Sequence, residues 1–245
     1  VKRVCREMEL DESRWPPKQA MWYINSQKDE GLRSQHIDAP HGDLYAQTML
    51  QVYRAYEAAC DRTGMVDFAE LLLRAHELWL KSPEVLAHYQ GRFRQILVDE
   101  FQDTNTIQYA WLRVLAGNNN NITVVGDDDQ SIYGWRGARV ENIQKIENDF
   151  KPIKVIKLEQ NYRSTGNILS ASNALIAKNQ NRLEKSLWTE SGDGDLINIF
   201  NARTETEEAQ YVVNEIENHF NQGKNLSECA ILYRSNAQSR VFEES

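Results

Sequence analysis

The 245 residues are 41% hydrophobic and 26% charged, enough apolar side chain to bury a core, with no run near the roughly 18 apolar residues of a membrane span. Three scattered cysteines, Cys5, Cys60 and Cys229, form no CxxC pair, which argues against a disulfide framework and fits a reducing cytoplasm. The net charge of −8, from 28 Lys and Arg against 36 Asp and Glu, excludes a broadly basic nucleic-acid coat but not an enzyme that grips one strand in a local groove.

The chain opens Val1-Lys2-Arg3-Val4-Cys5, without Met and without the apolar core of a signal peptide, as an interior piece of a longer protein would. Trp15-Pro16-Pro17 breaks the chain between helices. Leu44 to Cys60 carries Leu44, Tyr45, Thr48, Val52, Tyr53 and Tyr56 at near-helical spacing. Asp67 to Leu80 repeats that pattern through Phe68, Leu71, Leu72, Ala75 and Leu78, and Ser82-Pro83 starts another helix. No β-rich run precedes residue 93. Phe93 to Val98 is a short apolar run, followed by a helix over Ile107 to Ala116 and a second apolar strand over Ile122 to Val125. Asn118 to Asn121 reads as a solvated turn, and Ser191 to Gly194 as a flexible one. Val155, Ile156 and Leu158 suggest a third strand, Gly166 to Ala177 a helix, Leu196 to Phe200 a strand, Glu205 to Phe220 a helix and Ala230 to Tyr233 a strand. Strands alternating with helices predict an α/β fold with a mostly parallel sheet, whose ligands gather at the carboxyl ends of the strands.

Four segments at those ends carry chemistry. Ile96-Leu97-Val98 runs straight into Asp99 and Glu100. Adjacent carboxylates at a strand end repel each other unless a cation is present, and Mg²⁺ beside a nucleotide supplies one. Asp99 would then hold the metal shell and Glu100 orient or deprotonate the attacking water. The second strand ends in Gly126, Asp127, Asp128, Asp129 and Gln130. Gln130 suits contact with a terminal phosphate or water, although three aspartates also read as a solvated turn. Next come Tyr133 and Trp135 on a glycine-bracketed loop, with Arg136 beside them. Such rings stack on bases of any sequence, and Arg136 could meet a phosphate; two rings tucked under a loop is the plainer alternative. Finally, Gln160-Asn161-Tyr162-Arg163-Ser164 offers a ring for an adenine face and a guanidinium fork for a phosphate.

Together these segments resemble the superfamily-1 DNA helicases of the UvrD/Rep/PcrA type, and within them the UvrD branch. Val98 to Asn105 is similar to the family's Walker B motif, and Gly126 to Ala138 to the motif linking ATP to single-stranded DNA. Leu158 to Ser164 is similar to the motif that opens the second motor domain. The likeness extends to Met21-Trp22-Tyr23-Ile24-Asn25 and to Ile231 through Arg240. It implies partial RecA-like parallel-sheet motor domains with an all-helical inserted subdomain. Residues 1–92 would be that insert, 93–158 the second half of the first motor domain, and 159–245 the first half of the second. It implies ATP and Mg²⁺ as cofactors and 3′-to-5′ translocation on DNA in repair or replication. Partners would be single strands and single/double-strand junctions, and repair proteins, with no membrane. Asp99, Glu100, Gln130 and Arg163 would be catalytic, with Asp99 on the metal and Tyr162, Gln130 and Arg163 on the nucleotide. Tyr133, Trp135, Arg136, Arg234 and Asn236 would meet DNA. Bacterial cytoplasm, at the nucleoid, is the implied place.

The phosphate-binding G-x-x-x-x-G-K-[ST] loop does not occur in the chain; its one Gly-Lys, Gly223-Lys224, has Asn218 five residues earlier and Asn225 after it. The chain thus resembles an interior slice of such a helicase, expected to turn over no ATP alone and to self-associate through exposed sheet edges. A non-catalytic DNA-binding or docking module is the competing class. An RNA helicase of the DEAD-box kind fits Phe101-Gln102-Asp103 and the aromatic loop poorly.

Overall fold

A computed structural model describes residues 1–117, 121–180 and 182–245, so most of the asparagine run lies outside the described residues. The chain divides into two units. The first is Val1–Leu158 with Asn179–Lys185, and the second is Glu159–Lys178 with Ser186–Ser245.

The first unit begins all-helical, with α1 (Lys2–Glu7), α2 (Pro17–Asp29), α3 (Leu44–Thr63), α4 (Phe68–Lys81) and α5 (Pro83–Arg92). Local chemistry sets their ends. Pro17 and Pro83 occupy first helical positions, where a missing N–H is harmless. The Asp43 carboxylate caps α3 by accepting from Ala46 N–H, and Gly64 closes it at φ 65°. Asp67 caps α4 by accepting from Glu70 N–H at 2.7 Å. Val4, Cys5, Ala20, Ile24, Met49, Val52 and Tyr53 make one core among α1, α2 and α3.

The apolar stripe of α4 is not its buried side. Phe68, Leu71 and Leu78 are exposed, whereas Glu70, Leu73 and Trp79 are buried. Ion pairing accounts for the roll of the helix. Lys28, 2% exposed, reaches Asp67 and Glu70, both at 2.8 Å, and Arg33 reaches Glu70 at 2.8 Å and Glu77 at 2.6 Å. A buried cation needs its carboxylates beside it, so Glu70 must face inward.

Strands β1 (Ile96–Val98) and β2 (Ile122–Val124) pair in parallel, Ile96 beside Ile122 and Val98 beside Val124. Helix α6 (Thr106–Ala116) provides the crossover, opened by a reciprocal cap between Asn105 and Gln108. A second core joins Phe101, Tyr109 and Ala116 to Ile146 and Phe150 around α7 (Glu141–Asp149) and the strand pair.

The second unit carries α8 (Gly166–Ile176), α9 (Glu205–Asn221) and α10 (Ser239–Glu244). Gly192 and Gly194, at φ 73° and 70°, shape the expected turn, whose Gly192 carbonyl accepts from Gly166 N–H at 2.8 Å. Three expected strands do not form. Val155 to Leu158, Leu196 to Phe200 and Ala230 to Tyr233 have no ladder partner among the described residues. A strand is a paired object, and an apolar run without a neighbour's N–H and C=O groups remains irregular. The described chain is therefore mostly helical with a two-stranded parallel sheet. None of its described helices is long and apolar enough to cross a membrane.

Candidate functional site

Both strands of the first unit end in acids. Beyond β1, Asp99 and Glu100 are exposed, and Asp99 turns back to accept Glu100 N–H at 2.9 Å. Glu100 sits at φ 50°, in the left-handed region, one of two non-glycine residues there among those described. A side chain held in that conformation is strained, on the order of 1–2 kcal/mol, and needs neighbours to keep it there. Phe101 supplies one by donating its N–H to Val125 C=O at 3.0 Å, while its ring is buried in the second core.

Gln102, 1% exposed, supplies another. Its Nε2 donates to Glu100 Oε2 at 2.6 Å, and its Oε1 accepts Asp127 N–H at 2.9 Å. Gly126 lets the two turns meet: a Cβ there would lie 3.0 Å from Gln102 Oε1 and 3.2 Å from Phe101 Cβ. The Asp127 carboxylate accepts from Gln130 Nε2 at 2.8 Å and from Asp129 N–H at 3.0 Å.

The carboxylates of Asp127, Asp128 and Asp129 converge within 4.8 Å of one another. Two cations from the Asn179–Lys185 stretch offset two of the three charges. Arg182 grips Asp129 with two bonds, at 2.9 and 2.6 Å. Lys185 donates to Asp127 and lies 3.0 Å from Asp129, and Leu183 N–H donates to Asp128 at 2.6 Å. The Arg182 bonds hold the Asp129 carboxyl below its ordinary range against the upward pull of burial. Burial pulls Lys185 down, but Asp127 and Asp129 outweigh it and raise the ammonium above its ordinary value.

The loop that follows presents its rings outward. Trp135 is 70% exposed, and its centroid lies 6.4 Å from that of Tyr133. The Arg136 guanidinium sits over both, 4.9 Å from the Tyr133 centroid and 4.5 Å from that of Trp135. Arg139 N–H donates to Thr104 C=O at 2.9 Å, and fully buried Asn142 holds the same carbonyl at 3.1 Å. The ring loop is thus anchored to the turn just after Glu100.

In the second unit, Tyr162 is 81% exposed and its hydroxyl donates to Gln160 at 2.8 Å. Asn161 Oδ1 accepts the N–H groups of Arg163 and Ser164 at 2.9 and 2.8 Å, which leaves the exposed Arg163 guanidinium pointing from a fixed turn. Arg234 donates its N–H to Gln238 at 3.0 Å, and Asn236 opens the short turn that follows; both are exposed.

Residues 1–151 match the UvrD/REP helicase N-terminal domain, and residues 156–245 match the UvrD-like helicase C-terminal domain. The chain belongs to the UvrD/REP helicase family. It is 63% identical to DNA helicase II of Escherichia coli over all 245 residues, which cover 34% of that relative. It is 62% identical to the Salmonella typhimurium DNA helicase II, again over the whole chain and 34% of the relative. Against the Staphylococcus epidermidis ATP-dependent DNA helicase PcrA it is 44% identical, with the same coverage. The chain therefore spans about a third of the length of these relatives.

Within this UvrD-type chain, hydrogen bonds bring Asp99, Glu100 and Gln130 into one polar chain through Gln102 and Asp127. Tyr133, Trp135 and Arg136 form one cluster, with the two rings tilted to each other and the guanidinium over both. Tyr162 and Arg163 share one turn, apart from that of Arg234 and Asn236. Sequence reasoning missed Gln102, Arg182 and Lys185. The Phe101-Gln102-Asp103 run gave some warning of the first. Nothing local marks the other two, whose partners lie more than 50 positions away.

Proposed function

We propose that this chain is part of an ATP-dependent DNA helicase that moves 3′ to 5′ along one strand and opens duplex ahead of it, in repair or replication in the bacterial cytoplasm. The observation that carries this reading is the polar chain joining the Glu100 carboxylate at the end of β1 to Gln130 after β2. Hydrolysis needs a base and a phosphate contact held in fixed relation, and this arrangement would hold Glu100 and Gln130 in such a relation. Relatives named DNA helicase II and ATP-dependent DNA helicase support it.

Asp99 and Glu100 are exposed carboxylates, the oxygen donors that Mg²⁺ favours, so the strand end fits the metal side of a nucleotide site. Bound Mg²⁺ would neutralise charge on the phosphoryl group. Asp99 would hold its coordination shell, Glu100 would orient the water and take its proton, and Gln130 would contact the terminal phosphate. Tyr162 stacks on adenine, and Arg163 offers its fork to the same phosphate. Tyr133 and Trp135 stack on bases of the single strand, and Arg136, Arg234 and Asn236 contact that strand or order its loops. Residues 1–92 act as the inserted helical subdomain, 93–158 as part of one RecA-like motor domain and 159–245 as part of the next. Without a phosphate-loop sequence, these 245 residues alone hydrolyse no ATP. The open edges of the β1–β2 pair offer a route to self-association.

The test is ATP hydrolysis by the full-length protein with and without single-stranded DNA, for wild type and Glu100→Gln. The wild type should be stimulated by DNA, and the variant should bind ATP but lose on the order of a hundredfold or more in rate. DNA binding by a wild type that hydrolyses nothing would instead establish a non-catalytic module.

A further inference from the structure

Three neighbouring carboxylates repel one another, and a turn that carries them keeps its shape only if positive charge sits among them. Here that charge is an ammonium and a guanidinium of the protein itself. The side chains of Lys185 and Arg182 are each only 16% exposed. Lys185 is the more central of the two, touching Asp127, Asp128 and Asp129.

Asp127 stands at a branch point. Its carboxylate holds Gln130 Nε2, and its backbone N–H is held by Gln102 Oε1. Gln102 spends its two amide ends on two different turns, donating to Glu100 and accepting from Asp127. A carboxamide is directional: were it reversed, its oxygen would face the Glu100 carboxylate and its NH₂ would face an N–H. Buried as it is, Gln102 cannot exchange either partner for water. The position of Asp127 therefore sets the orientation of Gln102, and Gln102 sets that of Glu100.

We propose that Lys185 is a positioning residue for hydrolysis: by fixing Asp127 it fixes Gln130 directly and Glu100 through Gln102, with Arg182 holding the adjoining Asp129. This rests on the reading of Glu100 and Gln130 as hydrolytic groups. Lys185 touches neither, so it acts on rate through geometry. Neutralising it removes the only charged one of the three donors that hold the Asp127 carboxylate among the described residues, leaving Gln130 Nε2 and Asp129 N–H. The loosening then passes along the bonded chain to the strained Glu100 backbone.

The test compares wild type, Lys185→Gln and Lys185→Arg. In the 245-residue chain, amide hydrogen exchange is followed over residues 100–104 and 126–131. In the full-length protein, kcat and the KM for ATP are measured with saturating single-stranded DNA. Lys185→Gln should speed exchange in both segments and lower kcat about tenfold or more, as loss of an outer partner typically does, with KM nearly unchanged. Lys185→Arg, which keeps the charge, should restore both. If Lys185→Gln fails to fold, Asp127→Asn removes the charge that draws Lys185 while keeping its shape, and the same pattern is expected. Faster exchange confined to 126–131, or an unchanged kcat in a variant whose two segments loosen, would overturn the proposal. A wild type that hydrolyses no ATP sinks the motor reading alone; the exchange arm still decides, since protection retained at 100–104 in Lys185→Gln defeats the relay and its loss supports it.

Discussion

Gly126 sits where the turn after β2 comes closest to the turn after β1. A methyl group there would press on the Gln102 oxygen and on the Phe101 side chain, at 3.0 and 3.2 Å. Phe101 is packed in a core and cannot give way easily. Gly126→Ala should therefore destabilise the first unit by about 1–2 kcal/mol in urea denaturation. An unchanged midpoint would show that the two turns have room to give at Gly126. As candidates, Asp99 and Glu100 stand out in the sequence because two acids end an apolar run, and Trp135 because a large ring stands between glycines. Gln102 does not, because its importance comes from burial and from two partners that only folding brings together. Arg182 and Lys185 do not, because an isolated cation in an acidic chain looks like any solvated one.

Helices α2 and α4 meet through charge as much as through apolar packing. Burial alone would raise the Glu70 carboxyl, but Arg33, Lys28 and Arg74 together bring it down to about 2. Its ordinary value is 4.5, so the folded state binds its proton less readily than the unfolded state. The stability it contributes is fully present above pH 4.5 and is lost as pH falls from there through about 2. Asp67, lowered by Lys28 and Tyr56 against burial, adds in the same direction. The loss should be on the order of 2–3 kcal/mol for Glu70. Urea midpoints measured at intervals between pH 5 and 2 should fall steeply in wild type and less so in Glu70→Gln. Equal slopes would mean the network is not stabilising the folded state. Helix spacing in the sequence placed α3, α4, α6 and α9 well, but it could not show the roll of α4, which pairing with Lys28 and Arg33 decides. The missing strands failed for a related reason: an apolar run reports a willingness to pair and says nothing about whether a neighbour exists.

At the scale of the molecule the two units differ in how much they bury. The second has Leu169 and Ala209 as its buried apolar residues among those described, while Leu196, Ile199 and Leu232 are 79%, 93% and 94% exposed. A unit with so few buried apolar side chains and so many exposed ones binds hydrophobic dyes and opens readily. The native chain should bind 8-anilinonaphthalene sulfonate, and limited proteolysis should cut beyond residue 186 before it cuts α2, α3 or α4. First cuts within those helices would contradict the burial pattern.

The threading of the chain also bears on how the protein is made. The first unit is not complete at Leu158, because it draws in Asn179–Lys185 after the chain has begun the second. Lys185 lies 27 positions beyond Leu158 (185 minus 158), a further 1–5 s or so of elongation at typical ribosome speeds. Until then the nascent Asp127–Asp129 turn lacks the two cations, Arg182 and Lys185, that face it in the folded unit. The acidic turn after β2 therefore stays unassembled until the next unit is under way.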